Sequence, residues 1–235
     1  MRRESEGVID SSAAQWDDAA WTRGWSTEGL IAVLEPLVME ARRVRILQLV
    51  AGRTDNVTVA MDAPHDPHNG AAVMRTCDAF GVQQLNVVEA LEPFLLARKV
   101  SLGTERWVEV HRHSTYAAAI ARLQSTGYTL VAACMDGELL PSDLAIIPRF
   151  ALVMGNERAG VSNEFLAAAQ LRVKIPMRGF VESLNLSVAT AILLHAALGN
   201  RTGDLPESRQ RELYARGLVR SVVKVRQVLA SLEAR

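Results

Sequence analysis

The sequence predicts an α/β protein with a mainly parallel β-sheet, helices on both faces, and further helices at the two ends. The first observation is a repeated alternation of short apolar runs with helical periodicity. VTVAM (57–61) is a β-branched run typical of a buried strand, and AAVMRTCDAF (71–80) is a helix closed by Gly81. The same alternation continues along the chain, with strands at 82–89, 128–134, 150–155 and 171–176 and helices at 116–127, 162–170 and 184–199. Such an order indicates a parallel sheet covered on both sides.

The two ends of the chain differ from this pattern. Apolar residues at three- and four-residue spacing predict a helix over about 28–50 and a final helix over about 204–232, where Asp204 and Glu207 resemble a capping box. Residues 1–27 are polar and contain Trp16, Trp21 and Trp25, and we expect a partly disordered or loosely docked extension there. The predicted organisation is an extension (1–27), an N-terminal helix (28–53), an α/β domain (54–200) and a C-terminal helical extension (201–235).

The overall charge does not indicate a nucleic-acid partner, because 26 Lys and Arg residues balance 26 Asp and Glu residues in the 235-residue chain. The basic residues cluster locally instead. Residues 201–235 hold eight Lys and Arg against four Asp and Glu. A solvated helix end is the simpler reading of the basic group near 42–45. If RNA binds, the candidate contacts are Arg42, Arg43, Arg45, Arg53, Arg209, Arg216 and Arg220.

Several classes of protein lack support in the sequence. Cys77 and Cys134 form no CxxC pair, which suits a reducing cytoplasm. No signal peptide is recognisable, and no apolar run reaches the ~18 residues of a membrane span, so we expect a cytoplasmic protein with no membrane partner. Dinucleotide, P-loop, GxSxG and HExxH motifs are missing. His65 and His68 have no further ligands to complete a site, so no metal is expected.

Three loops that follow predicted strands have unusual polar content. They are HDPHNGAAVMRT (65–76), MGNERAGVSNE (154–164) and IPMRGFVESLNLSVA (175–189). Ligands of open α/β sheets bind at the carboxyl ends of strands, so these loops are the place for a site. Each notable residue also has an ordinary interpretation: Asn69 and Ser183 as helix caps, Glu157 as turn chemistry, Arg75 as a surface arginine.

Taken together, the order and spacing of the three loops resemble the motifs of the SpoU/TrmH family of RNA ribose 2′-O-methyltransferases, in the SPOUT superfamily. The resemblance covers residues 28 to about 220 and is closest to the tRNA branch that modifies guanosine 18 in the D-loop. It implies an α/β fold with a C-terminal trefoil knot and S-adenosylmethionine as cofactor. It also implies a homodimer whose interface runs through the knot and helix 184–199.

The resemblance also assigns roles to residues. Arg75 matches the catalytic arginine, Asn69 the asparagine of the first motif, Glu157 the glutamate of the second, and Ser183 and Asn185 the polar pair of the third. The positions that match cofactor contacts are Ala133, Gly155, Ile175, Gly179 and Leu184.

The chemistry of the implied reaction leaves the role of Arg75 open. A ribose hydroxyl is a weak nucleophile, so it needs alignment with the methyl donor and help in losing its proton. Arginine is an awkward proton acceptor, because its pKa exceeds about 12. Arg75 can instead clamp the adjacent phosphate. We favour a mixed role, with Asn69 orienting one or both partners.

Two alternatives to a tRNA enzyme stay open: an rRNA ribose 2′-O-methyltransferase and a non-catalytic knotted RNA-binding protein. The sequence also departs from the family pattern at Gly70-Ala71-Ala72, where bulkier or hydroxyl-bearing residues are usual.

Overall fold

The computed structural model describes residues 8–10, 22, 24–89, 94–97, 100, 104–156 and 158–233. These residues form two compact units. One contains Val8–Asp10 and the described residues of 54–202, and the other contains the described residues of 16–53 and 203–235. The boundary near residue 54 coincides with the predicted start of the α/β domain. The sequence predicts separate N- and C-terminal segments, whereas in the structure residues of both segments belong to the second unit.

The first unit is built on a six-stranded sheet in the order β5-β3-β2-β7-β6-β8. All its described pairings are parallel. The strands of this unit are β1 Val8–Asp10, β2 Val57–Met61, β3 Gln84–Val88, β4 Leu95–Ala97, β5 Glu109–His113, β6 Thr129–Ala133, β7 Phe150–Met154 and β8 Leu171–Val173. The predicted parallel sheet is therefore confirmed: β2 has the predicted bounds, and β3, β6, β7 and β8 are one to three residues shorter than predicted.

Eight α-helices are described across the two units. They are α1 Thr27–Leu34, α2 Glu40–Ala51, α3 Pro67–Ala79, α4 Tyr116–Ser125, α5 Asn163–Ala168, α6 Leu186–Leu198, α7 Glu207–Ser221 and α8 Val225–Glu233. Short 3₁₀ helices occur at Glu35–Leu37, Thr104–Arg106 and Pro141–Ile146.

Both faces of the central sheet are buried. Val59 and Met61 of β2 join the cluster under α3 and α6, whereas Ala60 joins the cluster under α4 and α5. Successive side chains of a strand point to opposite faces, so a strand covered on both sides needs apolar residues throughout. This requirement explains why β7 is a continuous apolar run and why the one polar residue of β2, Thr58, donates its hydroxyl to the Gln84 carbonyl at 2.7 Å.

The two helices nearest the predicted site begin elsewhere than predicted. Helix α3 starts at Pro67, and Asp66 caps it by accepting a hydrogen bond from the His68 N–H at 2.8 Å. An aspartate followed by proline at the first helical position is a stronger start signal than Asn69. Helix α6 is capped by Asn185, whose Oδ1 accepts from the Ser187 N–H at 2.9 Å. The cap interpretations of Asn69 and Ser183 are therefore wrong.

The predicted helix over 28–53 is interrupted. The 3₁₀ segment Glu35–Leu37 contains Pro36, and Val38 is extended with φ −111° and ψ 129°. Proline cannot donate the backbone hydrogen bond that a continuous helix needs, so α1 and α2 are separate helices.

The predicted final helix is also two helices. It begins at Glu207 after Pro206, without a side-chain cap, so the capping box of Asp204 and Glu207 is wrong. It breaks after Ser221, where Val222 is extended and Lys224 has a left-handed φ of 56°. Apolar spacing runs through both breaks, which is why the periodicity did not reveal them.

Part of the N-terminal extension is ordered. Val8–Asp10 pairs antiparallel with Leu95–Ala97 as a two-stranded ribbon. The docking hypothesis rests on three tryptophans, of which Trp16 and Trp21 lie outside the described residues and Trp25 is half-buried.

Within the described ranges, no helix is long and apolar enough to cross a membrane. The trefoil knot stays a prediction.

Candidate functional site

A cleft of about 1640 Å³ lies in the first unit, where β6, β7 and β8 end. Three segments form its walls: Cys134–Asp136 after β6, residues 155, 156 and 158–161 after β7, and residues 174–177 and 179–186 between β8 and the first turn of α6. The position agrees with the rule that parallel sheets bind ligands at the carboxyl ends of their strands. Two of the three motif loops, 154–164 and 175–189, line this cleft, and Asn69 of the loop 65–76 also lines it.

Asn69 and Asn185, 116 residues apart in the chain, are joined in this cleft. The Asn185 Nδ2 donates to Asn69 Oδ1 at 2.9 Å. The orientation of Asn185 is set by its other end, because Oδ1 accepts from the backbone N–H of Ser187 at 2.9 Å and from its hydroxyl at 2.7 Å. Both asparagines line the cleft, as does Ser183. The structure thus brings together candidate residues of the first and third motifs.

The five predicted cofactor positions also line the cleft: Ala133, Gly155, Ile175, Gly179 and Leu184. The two glycines differ in their surroundings. A Cβ on Gly155 would stand 2.2 Å from the backbone carbon of Gly160, so no other residue fits without a backbone shift. A Cβ on Gly179 would meet nothing within 4 Å. Gly155 therefore serves the loop itself, whereas Gly179 leaves open space in the cleft wall.

The loop after β7 is a tight turn closed on itself. Asn156 and Gly160 exchange backbone hydrogen bonds at 3.0 and 3.1 Å, and Gly160 has φ +70°. The side chain of Asn156 accepts from the backbone N–H groups of Arg158 and Ala159 at 3.0 and 2.8 Å. Glu157 lies outside the described residues, so its assigned role stays a prediction.

Asp62, which the sequence analysis missed, holds both ends of this loop. Its backbone N–H donates to the Met154 carbonyl at 2.9 Å, and its Oδ2 accepts from the Ser162 N–H at 2.6 Å. The side chain is 1% exposed. Its Oδ1 has no hydrogen-bond partner among the described residues. Burial raises the pKa of this carboxyl. An acid directly after a strand that is buried throughout was the available signal.

Cys134 lies in the cleft wall as a neutral thiol. Burial, followed by a hydrogen bond to Asp136, raises its pKa to about 11. The hydrogen bond from Cys134 is in turn the largest cause of the lowered pKa of Asp136. A thiol with so high a pKa is a poor nucleophile, so Cys134 lines the cleft without taking part in the chemistry.

Arg75 does not line the cleft of the single chain. It lies exposed on α3, the helix that also holds Asn69. The structure thus places Arg75 outside the group formed by Asn69, Ser183 and Asn185.

The family departure at Gly70 has a structural reason. A Cβ there would stand 2.6 Å from Cε2 of Phe94, which is buried against α3. Glu89 and Arg112 hold Phe94 by its backbone: Glu89 accepts from the Phe94 N–H at 2.8 Å, and Arg112 donates to its carbonyl at 3.2 Å. The ring of Phe94 occupies the space that a larger residue at position 70 would need.

The candidate RNA contacts belong to the second unit and are not equivalent. Arg42 and Arg45 are exposed, and Arg42 donates to the Ser221 hydroxyl at 3.2 Å. Arg43 is half-buried, 4.0 Å from Glu35. Arg53 is only 2% exposed, which is incompatible with direct contact to phosphate at the surface. Half-buried positions are also found for Arg209, Arg216 and Arg220.

Comparison with known proteins agrees with this geometry. Residues 56–195 match the model of the SpoU rRNA Methylase family. The chain belongs to this family. The match spans all three motif loops and all six strands of the central sheet.

Three relatives show how far the similarity extends. The tRNA (guanosine(18)-2′-O)-methyltransferase of Thermus thermophilus is 36% identical over 163 residues, 69% of this chain and 84% of that protein. The A. aeolicus TrmH/SpoU tRNA modifying enzyme has a similar structure, with TM-score 0.68 and 28% identity over 79% of this chain and 98% of that one. The SpoU methyltransferase AviRb from Streptomyces viridochromogenes, solved with the cofactor AdoMet, gives TM-score 0.56 and 26% identity over 66% of this chain and 61% of that one.

The residues of the cleft suit S-adenosylmethionine. Apolar side chains of Met154, Val173 and Leu193 line its floor, where a flat adenine ring can be buried. Charged groups of both signs line it too, among them Asp136 and Arg158, which suits a ligand with an ammonium, a carboxylate and a sulfonium. The open space at Gly179 allows a ligand to approach the backbone closely. Metal ligation has no comparable support, since no group of three His, Cys, Asp or Glu is found in the described ranges.

Proposed function

We propose that this chain transfers a methyl group from S-adenosylmethionine to a ribose 2′-hydroxyl of tRNA, most specifically guanosine 18 of the D-loop, and that it acts as a homodimer. The observation that carries this proposal is the hydrogen bond between Asn69 and Asn185 in a cleft lined by the predicted cofactor positions. Family membership and the Thermus relative, named for guanosine 18, support the choice of reaction and substrate.

The chemistry divides between cofactor and protein. S-Adenosylmethionine supplies an activated methyl group on a sulfonium. The protein then has to place the ribose oxygen in line with that methyl and help the hydroxyl to lose its proton.

The asparagine pair supplies the placement. Because Ser187 fixes the Asn185 oxygen, its amide nitrogen is committed to Asn69. The amide nitrogen of Asn185 carries a second hydrogen, which can donate to a ribose oxygen. A pair held in this way orients a substrate with little loss of conformational entropy on binding.

Arg75 completes the site from a second copy of the chain. It lies exposed on α3 and outside the cleft of its own chain. Helix α6 also leaves Val188 and Ile192 exposed, four residues apart on one side of a helix. Apolar side chains in that arrangement suit a helix that packs against a partner, so a dimer through α6 would cover them and add Arg75 to the partner's cleft.

Transfer of a tritiated methyl group to bulk tRNA and to rRNA tests the reaction. We expect label in tRNA, and mapping of the modified ribose should place it at guanosine 18. Label in rRNA alone would show that the chain is a ribose methyltransferase whose substrate is rRNA and not tRNA. Label in neither would leave the non-catalytic RNA-binding alternative.

Arg75→Lys and Arg75→Ala separate the two roles of the arginine. We expect both variants to bind tRNA and cofactor and to transfer methyl poorly. Loss of tRNA binding in Arg75→Ala, with retention in Arg75→Lys, would instead indicate a phosphate clamp alone. Mixing Arg75→Ala with Asn185→Ala tests the shared site: a heterodimer with one intact cleft should regain activity that neither variant has alone.

A further inference from the structure

The wall of the cleft bears an aromatic side chain that is fully exposed. Phe180 is 103% exposed and lines the cleft. Its neighbours Met177 and Val181 are also exposed and also line the cleft. A contiguous exposed apolar patch beside a polar site marks a surface where something binds.

The charges around this patch indicate what binds. Arg158, Lys174 and Arg178 are exposed near it, the first two in the cleft wall. No ion pair is found for these three cations within the described residues. Glu182 is the one nearby acid of the same loop, residues 176–183. An aromatic ring among unpaired cations is the composition that binds unstacked nucleic-acid strands, with the ring against a base and the cations on phosphates.

The size of the cleft leaves room for this second ligand. Sites for one small molecule usually measure about 300–1,000 Å³, and this cleft measures about 1640 Å³. The loop that holds Phe180 leads directly into Asn185, the cap of α6. Asn69, Asn185 and Phe180 all line this cleft, so it can hold a ribose at the asparagines and the attached base at Phe180.

We propose that Phe180 is a stacking platform for the base of the nucleotide that receives the methyl group, and that Lys174 and Arg178 hold the flanking phosphates. This inference rests on the proposed function, since it needs RNA as the substrate. A ribose in a folded tRNA loop is accessible only when its nucleotide leaves the stack, and an aromatic platform offsets that loss of stacking.

Affinity for unmodified tRNA, measured by filter binding with S-adenosylhomocysteine present, tests the platform. We expect Phe180→Ala to weaken tRNA binding about tenfold and Phe180→Trp to retain it, because stacking depends on the ring face. The affinity for S-adenosylhomocysteine, measured by calorimetry, should stay within about twofold. Ile146→Ala is the matched control, since Ile146 is 84% exposed and lies outside the cleft lining.

Three results would overturn the inference. Phe180→Ala with unchanged tRNA affinity would exclude stacking. An equal loss of S-adenosylhomocysteine affinity would make Phe180 part of the cofactor site. A shift to monomer in sedimentation would show that a second copy of the chain covers the ring.

The test of the Phe180 platform can fail or succeed independently of the test of methyl transfer. A wild-type chain that methylates no RNA would refute the reaction, while the binding measurement would still decide whether Phe180 contacts RNA. A wild-type chain that methylates tRNA, with Phe180→Ala equal to it in kcat/KM, would refute the platform alone.

Discussion

At the scale of single residues, Asn185 has two separable tasks. Its oxygen caps α6 through the Ser187 N–H, and its nitrogen donates to Asn69. Serine is about as good a helix cap as asparagine but is too short to reach Asn69. Substitutions can therefore remove one task and keep the other.

We expect Asn185→Ser to keep its unfolding free energy within about 0.5 kcal/mol of the wild type, and Asn185→Ala to lose about 1 kcal/mol with the cap. Both should reduce methyl transfer, on the order of 100-fold, because the ribose is no longer aligned. Urea unfolding and single-turnover methyl transfer measure the two effects. An active Asn185→Ser enzyme would show that the asparagine pair has no role in the reaction.

Asp62 gives the fold a pH dependence. Burial raises the pKa of its carboxyl, and the charge of Glu164 adds to the rise, while hydrogen bonds from Ser162 and Tyr116 oppose it. A carboxyl with a raised pKa binds more protons in the folded than in the unfolded chain between the two pKa values. The free energy of unfolding therefore falls as pH rises through that window.

The Asp62→Asn variant lacks this titration. The difference in unfolding free energy, wild type minus variant, should therefore decline as pH rises from the ordinary pKa range of an aspartate towards neutral. Urea denaturation of both proteins across that range gives the difference, in which the other carboxyls cancel. A difference that grows with pH would mean that the hydrogen bonds outweigh burial and that the pKa is lowered.

At the scale of elements, the loop after β7 depends on one glycine. A Cβ at Gly155 would overlap backbone atoms of Gly160 and Val161, which cannot rotate away as a side chain can. Gly179 lines the same cleft without that constraint.

Gly155→Ala should lower the unfolding free energy by about 1–3 kcal/mol, as overpacked sites do, and weaken cofactor binding because the loop shifts. Gly179→Ala is the matched control for stability and should stay within about 0.5 kcal/mol of wild type. Thermal unfolding and calorimetric titration with S-adenosylmethionine measure both. Equal stability of the two variants would contradict the packing of the loop.

Strands were predictable from the sequence where burial on both faces requires apolar side chains. The strands β2 and β7 are buried on both faces, so β7 is a continuous apolar run and β2 is apolar except for Thr58. Most residues of β3 and β6 are apolar too, although β3 holds Gln84 and Asn86 and β6 begins at Thr129. Helix ends were not predictable from periodicity, because caps depend on one side chain and its local backbone. Asp66 and Asn185 fill those positions, whereas Asn69 and Ser183 do not.

At the scale of the whole molecule, tRNA binding should depend on salt. The exposed arginines of the second unit suit contacts to phosphate, and each such contact releases counterions. Arg45 is exposed and has no side-chain partner among the described residues, whereas Arg211 is paired with Glu28.

We expect Arg45→Gln to reduce the slope of log affinity against log salt by about one. Arg211→Gln, which removes a cation already neutralised by Glu28, should leave the slope unchanged. Filter binding across a salt series measures both variants. A wild-type affinity that does not change with salt would refute phosphate contact by these helices.

The sequence by itself determined the parallel sheet, the three motif loops and the family, because burial on two faces and short motifs leave local signatures. Only the tertiary structure decided which side chains meet. Asn69 and Asn185 are 116 residues apart, Asp62 reaches a loop a hundred residues later, and Phe94 fills the space above Gly70. No local pattern encodes such pairs, since each depends on how strands distant in sequence come to lie side by side in the sheet.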